Sequence, residues 1–200
     1  MSENRYWLAG WMAIIHAVLL PLAIGLGIFE ELIGRGSFRA HAPRFGVSDI
    51  ISFIAVVLIV YVLIIFKKLL NERYNYHGVD LQIMLSIWWV IIFTVGNLII
   101  QTVFSLMWPV REEILVFTFV PYFILAMVSI GIVDIIMAVK LLRVKEKLND
   151  LIVAFAYITL MAGLMEVTVV LSPLSLVIVP VSSVVIGMIL LREKEEVEFV

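Results

Sequence analysis

The chain has 200 residues, 64% of them hydrophobic and 15% charged, with a formal net charge of −2 and no cysteine. Soluble domains carry about 25% charged residues, so this balance excludes an ordinary soluble enzyme and points to a membrane class. The missing thiols exclude disulfides, iron–sulfur clusters and thiolate-held zinc, and the near-neutral charge excludes the dense basic face that nucleic acid requires.

Six apolar stretches are long enough to cross a bilayer: about 6–31, 48–66, 81–108, 114–139, 151–171 and 174–191. None alternates apolar and polar residues as barrel strands do. The expectation is an all-α, polytopic integral membrane bundle of six transmembrane helices forming one domain. The N-terminus lacks a cleavable-signal pattern, so the first helix is expected to be retained.

Polar intervals separate the helices. Lys67–Asp80 is the longest, Lys140–Asp150 repeats its order of basic extension, Asn/Asp and new helix, and Arg192–Glu196 closes the chain in a similar way. This pattern makes three hairpins, helices 1–2, 3–4 and 5–6, a candidate internal repeat. With the N-terminus inside, ten Lys and Arg residues fall on the inner side and four, Arg35, Arg39, Arg44 and Arg111, on the outer side. The positive-inside rule then places both termini in the cytoplasm, in an inner or plasma membrane of prokaryotic type. The inner basic segments suit anionic lipid headgroups.

In lipid, helix contacts concentrate on small and polar side chains. Stripes of these occur on helix one (Ala9, Ala13, His16, Ala23, Gly27), helix three (Ser86, Thr94, Asn97, Gln101), helix four (Gly131, Asp134, Ala138), helix five (Ala156, Thr159, Gly163, Glu166) and helix six (Ser175, Ser183, Gly187). Helix two has almost none and is expected to be the most lipid-exposed.

Ionisable residues inside a membrane are costly, so each is a functional candidate. The candidate intramembrane polar site comprises His16, Asn97, Gln101, Asp134 and Glu166. Glu166 is expected to meet His16 or Asn97 and to bind a proton, ion or small solute, or else to act as interhelical glue. A second candidate is an outer-face ion or headgroup cluster of Glu30, Glu31, Arg35, Arg39, Glu112 and Glu113. The Glu30-Glu31 pair with Arg35 matches the spacing of the first motif of membrane CAAX-type proteases. No histidine follows His77, however, so that metal site cannot form. No catalytic group, metal or cofactor is expected. The first function class is a non-enzymatic accessory, assembly or sensor-like membrane subunit, with a membrane-protein partner or a second copy. The alternative is a small proton-coupled transporter or channel using Glu166. An intramembrane enzyme ranks last.

Overall fold

The computed structural model describes residues 3–35, 46–106 and 112–195. Six helices follow in order: α1 (Glu3–Arg35), α2 (Val47–Tyr74), α3 (Asp80–Leu106), α4 (Glu112–Arg143), α5 (Asp150–Val167) and α6 (Ser172–Glu195). No strand occurs among the described residues. All six are long and apolar enough to cross a bilayer, which places the chain among multi-pass membrane proteins. α1, α4 and α6 each continue through their internal proline, Pro21, Pro121 and Pro180.

Each helix packs on its chain neighbours, and α6 returns to α1, so the six close a ring in chain order. The most extensive packings are α4 on α5, α1 on α6 and α1 on α2, while α3 is held more lightly by α2 and α4. The two tightest contacts therefore do not coincide with the three hairpins. Each is built on a pair of glycines. A Cβ on Gly163 would lie 2.7 Å from the Gly131 carbonyl oxygen, and one on Gly131 would lie 2.8 Å from that of Gly163. A Cβ on Gly187 would similarly lie 2.9 Å from the Gly10 carbonyl oxygen. Backbones approach this closely only where no side chain intervenes, as is common where membrane helices cross.

The expectation that helix two faces lipid is overturned. Its half nearest the α2–α3 turn is the centre of the core, with Val62, Phe66, Leu69 and Leu70 completely buried. Phe66 meets Phe155 of α5 edge to face, with ring centroids 5.1 Å apart, and so fills the ring interior. α3 instead has the smallest share of buried residues.

The turns explain where the helices end. α2 runs through its basic extension to Tyr74. It stops because Asn75 takes the left-handed conformation (φ 46°), and the Tyr76 N–H turns back to the Leu70 carbonyl. Asp80 opens α3, where a negative charge suits the helix dipole, and its carboxylate accepts from Asn71. Asn149 caps α5. Its Oδ1 accepts the Ile152 N–H at 2.8 Å and its Nδ2 donates to the Tyr74 hydroxyl at 2.9 Å, tying α5 to α2. Asn149→Ala removes both contacts and should cost about 1–2 kcal/mol, measurable as an earlier unfolding midpoint in detergent; an unchanged midpoint would refute the role given to this cap.

α5 ends at Val167, before the expected Leu171. The chain reverses over Thr168–Leu171, with Val169 in the left-handed region (φ 55°). A β-branched residue is strained there. Val169→Asn should therefore raise stability by about 1 kcal/mol, whereas Val170→Asn, at a position without positive φ, should not.

Candidate functional site

One end of the bundle carries the α2–α3 and α4–α5 turns and is held by a dense polar network. The Lys140 ammonium donates to the Gly78 carbonyl at 2.9 Å and to Gln82 Oε1 at 3.2 Å. The Tyr76 hydroxyl donates to the Lys140 carbonyl at 2.9 Å. Burial holds the Tyr76 phenol above its ordinary pKa, against a smaller opposite pull from Arg143, which keeps it a donor. Tyr6 of α1 donates to Glu72 at 2.9 Å, and Lys68 pairs with the same carboxylate at 3.4 Å. Lys67 lies 4.0 Å from Asp80, which also has His77 at 3.4 Å. Lys67, Lys68 and Lys140 are thus engaged inside the protein. Arg5, Arg73, Arg143, Lys145, Lys147 and Arg192 at this end are exposed.

The five intramembrane candidates do not gather in one place. His16 is 4% exposed and sits at the α1–α6 seam. His16 Nδ1 and Ser183 Oγ share a hydrogen bond at 2.9 Å, and Ser183 Oγ also lies 3.1 Å from the Val179 carbonyl. That bond links α1 to α6 as interhelical glue. Asn97 is half-buried on α3, and its Oδ1 has no hydrogen-bond partner. The Gln101 side chain lies outside the described residues.

Asp134 and Glu166 are brought together. They lie on α4 and α5, each three residues beyond the glycine of the tight crossing, as Gly131-x-x-Asp134 and Gly163-x-x-Glu166. A Cβ on Gly131 would stand 3.0 Å from Glu166 Cβ, so Glu166 lies against the α4 face that carries Asp134. Side chains on a helix lean toward its N-terminus, so on these antiparallel helices both acids lean back toward the crossing from opposite sides. Glu166 is 5% exposed, and its Oε2 is buried without a hydrogen-bond partner. Thr159 Oγ1, farther along the same face of α5, is also buried and unpartnered. α5 has only 18 residues and spans about 27 Å at 1.5 Å per residue. Glu166, in its last turn, therefore lies near the end of the span away from the basic turns. Asp134 is thus the ionisable residue across the crossing from Glu166, which has no hydrogen bond to His16 or Asn97. The repeated glycine-to-acid spacing on α4 and α5 was the sequence signal for this pairing.

At the other end of the bundle, the expected ion or headgroup cluster shows one describable member. Glu30 accepts the Val47 N–H at 3.0 Å and the Ser48 hydroxyl, and so caps the start of α2 from the end of α1. Arg39 and the side chains of Glu31, Arg35, Glu112 and Glu113 lie outside the described residues.

A shallow depression lies on the exposed side of α3. It is apolar, open, and lined by Val95, Leu98, Ile99, Thr102 and Val103. Of the describable intramembrane candidates, His16, Asn97, Asp134 and Glu166, none lines it. No group of three or more His, Asp or Glu residues suited to a metal occurs among the described residues. No protein-family model, curated protein or solved structure matches this chain.

Proposed function

We propose that the protein is a non-enzymatic subunit of a membrane assembly, a helical scaffold that presents α3 to a transmembrane helix of another chain. One observation carries this reading: the depression on α3 follows positions i, i+3, i+4, i+7 and i+8 from Val95 to Val103, the spacing of a helix face that packs against another helix. Three of its five residues, Val95, Ile99 and Val103, are apolar and β-branched, and Thr102 shares their branching. Such side chains hold few rotamers and lose little freedom on packing. The helix that bears the depression is the most lightly packed of the six, yet it carries Thr94, Asn97 and Thr102 at membrane depth. Thr94 and Thr102 return their hydroxyls to the Val90 and Leu98 carbonyls, which keeps those polar groups satisfied within the helix.

The test is mild-detergent purification from the native cell, with Ile99→Trp compared against Val181→Trp on the exposed face of α6. The expected result is a co-purifying membrane protein that is lost with Ile99→Trp and kept with Val181→Trp, with the bundle's own unfolding midpoint unchanged in both. A partner retained by Ile99→Trp, or a single chain alone after cross-linking in native membranes, would refute the reading.

A second reading, a small proton-coupled transporter or channel using Glu166, is favoured by the position of Glu166 and Asp134 on either side of the Gly131–Gly163 crossing. It predicts uptake by reconstituted vesicles that stops with Glu166→Gln.

A further inference from the structure

We propose that Asp134 and Glu166 form one binding site that takes a single positive charge from solution, a proton or a sodium ion. The inference is independent of the subunit reading, since a scaffold and a transporter can each hold such a site.

The argument starts from the crossing. Gly131 and Gly163 bring the α4 and α5 backbones together, and the same three-residue step places one acid on each helix beside the contact. A Cβ on Gly131 would stand 3.0 Å from Glu166 Cβ, which sets Glu166 against α4 three residues from Asp134, and one oxygen of Glu166, a side chain more than nine-tenths buried, has no partner. A buried carboxylate oxygen in that state lacks the bond it would have in water.

Among the described residues the surroundings offer no protein cation to supply it. α3 has no ionisable residue between Leu81 and Leu106, and α6 has none between Ser172 and Leu191. On α5 the other titratable groups are Asp150, exposed at the start of the helix, and Tyr157, which is 52% exposed. On α4 the Tyr122 hydroxyl donates to the Phe93 carbonyl, and the Lys140 ammonium is held by Gly78 and Gln82. His16 on α1 is bonded to Ser183. Glu166 is buried and Asp134 half-buried beside the same crossing, and two such carboxylates, without a countercharge among the described residues, cannot both stay ionised and empty. One proton neutralises the repulsion, and so does one sodium ion. With two carboxyls and no third acid or histidine beside them among the described residues, the donor set is thin for a divalent metal, which takes four or more ligands.

The test uses the full-length protein in liposomes. Difference infrared spectroscopy follows the carbonyl stretch of protonated carboxyl groups across a pH series, once in sodium and once with sodium replaced by a bulky organic cation. The expected result is a titrating carboxyl band that Glu166→Gln removes, that Asp134→Asn shifts, and that Glu146→Gln on the exposed α4–α5 turn leaves alone. A titration midpoint that moves to lower pH as sodium rises identifies sodium as the ligand, and a sodium-independent midpoint identifies the proton. Glu166→Asp and Asp134→Glu keep both charges and should move the midpoint without abolishing the band. Absence of any titrating carboxyl band in the wild-type protein, or a band unaltered by changes at both positions, would overturn the proposal.

Discussion

Gly163→Ala is expected to lower the unfolding midpoint more than any other single-methyl change in the helices. Its new Cβ would stand 2.7 Å from the Gly131 carbonyl oxygen, 2.9 Å from Ile135 Cγ1 and 3.1 Å from the Ile135 nitrogen. Two of those three neighbours are backbone atoms and cannot rotate away, so α4 and α5 must separate along their shared length. Overpacking of this kind costs about 1–3 kcal/mol. Gly131→Ala meets the Gly163 carbonyl in the same gap and should cost a similar amount. Because either change alone already opens the gap, the double variant should cost less than the sum. Gly25 is the control. Nothing lies within 4 Å of its would-be Cβ, so Gly25→Ala should be neutral or stabilising by up to about 1 kcal/mol, the helix-interior difference between the two residues. Thermal or denaturant unfolding of the purified protein in detergent reads all four variants. Equal responses at Gly163 and Gly25 would refute the close crossing.

Phe66→Ala should have the other large effect. Phe66 is completely buried, contacts Phe155 across the ring interior and lies among Val62, Leu69 and Leu70 at the best-packed end of the bundle. Truncating a buried aromatic costs roughly 3–5 kcal/mol in water-soluble cores. Here the loss should sit at about 3 kcal/mol, because lipid is itself apolar and what is lost is packing rather than protection from water. Phe53 belongs to the same helix but is 55% exposed, so Phe53→Ala should barely move the midpoint. If both variants unfold alike, α2 does not occupy the core.

The contrast between Phe66 and Phe53 also shows what the sequence could and could not reveal. The six helices were legible because runs of about 20 apolar residues have one physical use, and the turns into helices three and five were legible as a basic extension followed by Asn or Asp at Asp80 and Asn149. The burial of α2 was not. In a membrane an apolar side chain suits lipid and core equally, so Val62 and Phe66 carry no mark that separates them from Phe53. Inferring the interior from polar residues alone assigned α2 to the lipid, although packed apolar residues fill the ring. The end of α5 was hidden for a related reason. Val169, Val170 and Leu171 look like continuing helix, and the reversal uses a strained Val169 in place of a glycine. The candidate site was half legible. Glu166 and Asp134 stood out as charges in apolar runs, but their pairing depends on which helices are neighbours, and that is set by the backbone contact at Gly131 and Gly163. His16 looked equally available, yet it is bonded to Ser183 across a different seam.

The scaffold reading rests on the face of α3 between Val95 and Val103. Because the chain has no cysteine, single cysteines can be placed there and spin-labelled in native membranes without removing native thiols. Labels at Val95, Ile99 and Val103 should be immobilised and shielded from lipid-soluble oxygen, while labels at Met161 on α5 and Val181 on α6, both about half exposed, should stay mobile and accessible. Equal oxygen accessibility at all five positions would contradict the claim that another helix covers α3.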